Sequence, residues 1–233
     1  MSTAKTDKTQ ESGHPAEQDT RVRLLEAAGE VFAERGFHGV QIRDICALAG
    51  ANIAAVNYHF KGKEGLYREV LKYAHHCAMA VEELQVAIPP NASAEQKLGV
   101  FVHTFFRSML SGGRPSWNGK LLAREMIEPS AALDDLVMTE ITPKFAMLRS
   151  IVAEMLGVAI EHPAVRWFGA SVISQCLFWE HNKPVIQRLY PDLSYSDEQI
   201  RFIANHVVRT CTFAMVGARG KLDDYATWPE SHR

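Results

Sequence analysis

The residues best suited to touch nucleic acid lie in one stretch, Val40–Lys63, VQIRDICALAGANIAAVNYHFKGK. Asn52 and Asn57 carry amides that can pair with base edges or phosphate oxygens. Ala54 and Ala55 are small enough to let a helix lie deep in a groove, where their methyls meet thymine methyls. Tyr58 and His59 follow as an aromatic exit, and Lys63 stands where a new helix begins. A cation beside a free helix N-terminus is a phosphate site.

The other chemistries read as absent. The chain has no GxSxG, no glycine-rich phosphate loop and no HExxH, and Glu125 and Glu128 show no partner in the sequence. No catalytic residue is assigned, and the chain reads as a non-enzyme without a cofactor. Cys46, Cys77, Cys176 and Cys211 are scattered on apolar helical faces with no CxxC pair, which predicts free buried thiols. His75 and His76 precede Cys77, but adjacent helical positions diverge by about 100° and cannot chelate together. No metal site is assigned.

Composition fits a globular protein rather than an obvious polyanion binder. The 233 residues are 47% hydrophobic and 22% charged, with net charge −2. Thr20–Ala80 carries eight basic against six acidic residues, a small surplus. The case for DNA therefore rests on where charges stand, not on their sum. No apolar run reaches the length of a membrane span, and the polar first twenty residues are not expected to be a signal peptide. Residues 1–19 are expected to be a disordered arm.

The elements that would hold the stretch are legible around it. Arg21–Arg35 is amphipathic, with Leu24, Leu25, Ala28, Val31 and Phe32 at helical spacing and Gly36 as its stop. Phe37 is expected to plug the core. Ile42–Ala49 reads as a second helix with Ile42, Ile45 and Ala49 inward, broken at Gly50. Asn52 caps a third helix to about Tyr58, with Ile53 and Val56 inward. Two short helices with a tight break spell a helix-turn-helix, at about residues 41–60. A long fourth helix, Lys63–Gln85, has an apolar stripe of Leu66, Val70, Ala74, Cys77, Val81 and Leu84.

The pattern Leu25, Ala28, Phe32, Gly36, Phe37, Ile45, Ala49-Gly50, Val56-Asn57-Tyr58-His59-Phe60 and Lys63-Glu64-Leu66-Tyr67 resembles the TetR family of bacterial repressors over about 65 residues. The resemblance implies that Asn52–Tyr58 is the recognition helix. It also implies that Tyr58, His59 and Lys63 contact phosphates and that Arg43 lies near the backbone. Two departures stand out. Val40-Gln41 replaces the usual hydroxyl pair before the second helix, where Gln41 can supply one hydrogen bond and Val40 none. Asn52-Ile53 replaces the usual Ser-Lys opening of the third.

Past Pro89-Pro90, helices are expected at about Ala94–Leu110, Trp117–Glu128, Ala131–Leu156, Pro163–Trp179 and Asp197–Ala218, with a loop at 111–115. Pro143 should kink the third of these. Ala123-Arg124-Glu125, Glu128-Pro129-Ser130 and Pro143 resemble the C-terminal domain of the CecR-like branch. Pro163–Trp179 and Asp197–Ala218 are apolar around much of their girth, Val172 and Val207 included, which predicts a homodimer through these two helices. Phe105, Met109, Trp117, Met126, Phe145, Gln175, Phe178 and Trp179, with Met147 and Trp167, are candidates for an apolar or aromatic effector pocket.

The resulting expectation is an all-α protein. A three-helix head at 20–80 is joined by the fourth helix to a ligand-binding and dimerisation body at 81–222, with a tail at 223–233. Its partners would be a palindromic double-stranded operator, a small effector and a second copy, in a bacterial cytoplasm at the nucleoid. A ligand-released repressor is the first reading; the alternative is a ligand-independent or architectural regulator using the same head.

Overall fold

The computed structural model describes residues 15–76, 81–110 and 117–225, all helix and connection with no strand among them. They fall in two compact units. The first lies within Met1–Tyr73 and Ser116–Ala132, the second within Ala74–Pro115 and Leu133–Arg233.

The first unit is built from α1 (Pro15–Arg35), α2 (Ile42–Ala49), α3 (Ile53–Phe60), most of α4 (Lys63–His76) and α7 (Asn118–Ile127). The helix α1 starts six residues before its apolar pattern does, inside the segment read as an arm. Its first turn begins with Pro15, whose missing N–H is harmless there and whose fixed φ suits a helix start. The sequence of these first turns, PAEQDT, is polar and offers no apolar periodicity to detect. Leu24, Leu25, Ala28 and Phe32 of α1, Ile45 of α2, Val56 and Phe60 of α3, Leu66, Val70 and Leu71 of α4 and Leu121 of α7 are all buried. Gly50 ends α2 in the left-handed region, at φ 60°, and nothing lies within 4 Å of where its side chain would be. The break between the two short helices is thus a backbone requirement, not a packing one.

The placement of α7 departs from the linear division into head and body. It packs on α1, and its leading Trp117 is 5% exposed. The indole lies across Gly29 of α1 and stacks on Tyr73 at 6.4 Å. No local pattern announces this, because the contact joins residues 88 positions apart.

In the second unit, α6 (Ala94–Leu110), α9 (Thr142–Leu156), α10 (Pro163–His181) and α12 (Asp197–Ala218) enclose the core. It is formed by residues such as Leu98, Phe101, Phe106, Leu148, Val152, Val172, Ile203, Val207 and Met215. Val172 and Val207 are therefore core of their own unit, at 0% exposure, not surface offered to a partner. A helix with two apolar faces shows the sequence both, but not which one the monomer fills.

The expected kink is a widened turn. Between α8 (Ala132–Leu136) and α9 the helix passes through a π segment, Val137–Ile141, with Pro143 in the first turn of α9. The proline ring clashes with a carbonyl four residues back, and a π turn absorbs that clash. Beside it the buried Lys144 has its Nζ 2.7 Å from His75 Nδ1 and donates to Glu140 at 3.3 Å.

One helix was not expected, α11 (Lys183–Leu189), too short for periodicity to register. The long fourth helix is seen as α4 and as α5 (Val81–Ala87). Cys77, the loop at 111–115 and most of the tail lie outside the described residues. Cys46, Cys176 and Cys211 are free and buried.

The close approach at Gly29 gives a test. Alanine in a helix is ordinarily favoured over glycine by about 1 kcal/mol. A Cβ at residue 29, however, would lie 2.3 Å from Trp117 Cε2. Gly29→Ala should destabilise the protein by about 1–3 kcal/mol, read as a lower urea midpoint. A raised midpoint would show that Trp117 does not hold that position.

Candidate nucleic-acid interface

The helix α3 is eight residues long, anchored by Val56 at 0% and Phe60 at 3% exposure. Its start is fixed by Asn52, whose Oδ1 accepts the Ala55 backbone N–H at 2.8 Å. That satisfies one orphan donor and leaves the Asn52 NH2 facing solvent. Asn52, Ala54, Asn57 and Tyr58 are exposed, Tyr58 by 72%, and Ala55 and His59 are half-buried. The Tyr58 and His59 rings meet edge to face at 4.9 Å. An amide, two methyls, a second amide and a phenol thus share one short helix whose opposite face is locked in the core.

Ile53 corrects the expected inward pair, because it is 52% exposed. Helical side chains lean toward the N-terminus, so the first residue projects ahead of the packed stretch. Its position at the helix start, not its hydrophobicity, was the available signal. It adds an aliphatic tip to the exposed face.

At α2, Gln41 occupies the cap position in extended backbone and makes no side-chain cap bond. It is exposed, its amide uncommitted, while Val40 is buried at 3%. The departure from a hydroxyl pair thus puts one residue in the core and one on the surface. Arg43 is exposed and approaches Asp44 only at 3.9 Å, a contact of little energetic weight in water.

Lys63 at the start of α4 holds its ammonium 4.7 Å from the Phe37 ring centre. Phe37, half-buried, does not plug the core as expected. It lies over it, against Tyr67 at 5.0 Å and Phe32 at 6.3 Å. Arg21 behaves similarly, 5.5 Å over Phe60 and paired with Glu69 at 2.7 Å. An aromatic face restrains a cation without neutralising it, so Lys63 stays available to an anion.

Residues 94–218 match the family described as the HTH-type transcriptional dual regulator CecR, C-terminal domain. Residues 24–70 match the bacterial regulatory proteins of the tetR family. The chain belongs to the TetR family, in its CecR-like branch. Among TetR-family relatives, the HTH-type transcriptional regulator UidR of Escherichia coli K12 is 35% identical over 63 residues, 27% of this chain and 32% of UidR. The chain thus matches about a third of that relative's length. The fold extends further. A TetR-family regulatory protein from Rhodococcus RHA1 superposes with TM-score 0.62 at 21% identity, covering 84% of this chain and 96% of that one. The regulator FadR from Bacillus subtilis, solved with stearoyl-CoA, gives 0.59 at 18%, covering 82% and 97%.

The effector candidates divide between the two units. Trp117 and Met126 lie in the first, Trp117 packed on Gly29 and Met126 49% exposed. In the second, Phe105, Met109, Met147 and Trp179 pack on the core while half-buried. Phe145 comes within 3.9 Å of where a Gly169 Cβ would be. Gln175 donates to Cys211 Sγ at 3.3 Å, and Phe178 and Trp167 are exposed.

Replacing Lys63 by alanine should weaken binding to specific and mixed-sequence duplexes alike. It should lower the slope of log affinity against log salt by about one phosphate. An unchanged slope, measured by fluorescence anisotropy, would remove Lys63 from the interface.

Proposed function

We propose that the protein is a homodimeric repressor that leaves a palindromic operator when a small apolar or aromatic ligand binds the second unit. It acts in the bacterial cytoplasm, where its DNA is, and catalyses no reaction. The observation that carries the DNA half is α3, with one face buried through Val56 and Phe60 and the other presenting Asn52, Ala54, Asn57 and Tyr58. Such a helix fits the major groove, with Gln41, Arg43, His59 and Lys63 on flanking phosphates.

The dimer reading rests on α12. Its inner residues Ile200, Ile203, Val207, Cys211 and Met215 are buried. Its outer face carries Phe202, His206, Arg209, Phe213 and Val216, all exposed, Phe202 by 75% and Phe213 by 70%. The steps run four, three, four, three, the spacing of a helix with a second helical partner. On α10, Trp167 and Phe178 are the matching exposed aromatics. Exposed phenylalanines at this spacing are costly unless covered.

For the effector, the half-buried Phe105, Met109, Phe145 and Trp179 supply soft and aromatic surface, with Gln175 a polar contact. A ligand that binds one arrangement of the dimer better than another would shift DNA affinity by about 1–3 kcal/mol. Stearoyl-CoA, held by the similar Bacillus subtilis regulator, is one class to test.

Phe213→Arg, a solvent-exposed change that should leave the fold intact, should turn a micromolar dimer into a monomer in sedimentation. A charge in a dry interface costs several kcal/mol. A wild type that sediments as a monomer at micromolar concentration would refute the assembly. For the effector, stearoyl-CoA and a panel of aromatic compounds should include one that binds and lowers operator affinity more than twofold. A compound that binds the second unit and leaves that affinity unchanged would sink induction while sparing DNA binding.

A further inference from the structure

Glu125 of α7 is a carboxylate at 1% exposure. Enclosing such a group is costly unless hydrogen bonds replace its water. Here they do. Tyr67 Oη donates to Oε2 at 2.6 Å, and the backbone N–H and hydroxyl of Ser130 both donate to Oε1 at 2.8 Å. The Ser130 oxygen in turn accepts the Ala132 N–H at 3.1 Å, which ties the end of α7 to the start of α8. A leucine would fill the same space with no such requirement, so the carboxylate is there for what it grips.

It grips Tyr67, a residue of α4 one turn beyond Lys63, itself 3% exposed. Burial, and then the Glu125 hydrogen bond, push the Tyr67 phenol well above its ordinary range, so it remains a donor. With its hydroxyl fixed, the ring meets Phe32 edge-on at 4.8 Å and Phe37 at 5.0 Å. Phe37 lies in the turn between α1 and α2 and belongs to no helix, so its ring position depends on these neighbours. That ring lies beneath the Lys63 ammonium. A continuous series of contacts runs from Glu125 through Tyr67 and Phe37 to Lys63.

We propose that Glu125 is a positioning residue for DNA binding, acting through Tyr67 and Phe37 to place the Lys63 ammonium and the N-terminus of α4. The inference rests on the DNA-binding reading of Lys63. It gives α7, whose chain continues at both ends into the second unit, a direct hold on the interface. Neither end of this series is visible in the sequence as a pair, since Tyr67 and Glu125 are 58 positions apart.

The test is a double-mutant cycle read by anisotropy, across salt concentrations, on a 30-bp duplex that the wild type selects from a random pool. Tyr67→Phe keeps the packing and removes the hydroxyl. It should lose about three- to tenfold in affinity and approach the salt slope of Lys63→Ala, with the thermal transition still well above the assay temperature. Tyr67→Phe with Lys63→Ala should bind no more than about twofold weaker than Lys63→Ala alone. Glu125→Gln keeps one oxygen for the two Ser130 donors but turns an NH2 toward the Tyr67 hydroxyl, so it should lose affinity and salt slope in the same direction as Tyr67→Phe. Phe37→Leu approaches the same endpoint from the other side and serves if Tyr67→Phe does not fold. Losses that simply add, or a folded Tyr67→Phe with wild-type affinity and slope, would overturn the positioning role and leave the DNA-binding reading intact. A Lys63→Ala protein that binds like wild type would remove both.

Discussion

An isolated helix of eight residues does not persist in water, because nucleation costs more than one or two turns return. The element that presents Asn52, Ala54, Asn57 and Tyr58 is of that length. It exists only as far as Val56 and Phe60 are held from behind and Asn52 holds its first turn. The rest of the first unit follows from this constraint. The buried rows of α1 and α4 give α3 its backing, and α7 closes the group through Trp117 and Glu125. Apart from Asn52, which also caps the helix, the exposed face can then be polar and small, since Ala54, Asn57 and Tyr58 do not hold the helix in place.

The same division explains how a protein of net charge −2 can address a polyanion. Lys63 is placed over the Phe37 ring beside α3, at 4.7 Å, with no such carboxylate partner among the described residues as Arg21 has in Glu69. Restraint by a ring costs a cation little of its charge. Few charges in fixed positions take the place of a strongly basic surface.

What the sequence made legible was whatever is local. The bounds of α2, α6 and α12 follow from apolar spacing, and the end of α2 also from its breaker, Gly50. The residues proposed to meet DNA are picked out by their place after the break, and the structure leaves Asn52, Ala54, Asn57 and Tyr58 exposed. What stayed hidden was set by distance or by choice between faces. Trp117 and Glu125 belong with α1 and α4 because of contacts to Gly29 and Tyr67, which no window of sequence contains. Val172 and Val207 read as partner-facing because α10 and α12 are apolar on more than one side, and only packing decides that the phenylalanines at 202 and 213 are the uncovered ones. Ile53 read as core because hydrophobicity outweighed its position at the helix start. The effector candidates remain a dispersed set because pocket formation depends on side chains that are individually ordinary core or surface.

In the proposed dimer α3 enters the major groove twice, once from each member of a symmetric pair. Hydroxyl-radical footprinting of the wild type on a duplex selected from a random pool tests it most directly. Two protected patches related by two-fold symmetry are expected, their centres about 34 Å or a small multiple of that apart along the helix axis. A single unsymmetric patch, or a pool that no round of selection enriches, would contradict it.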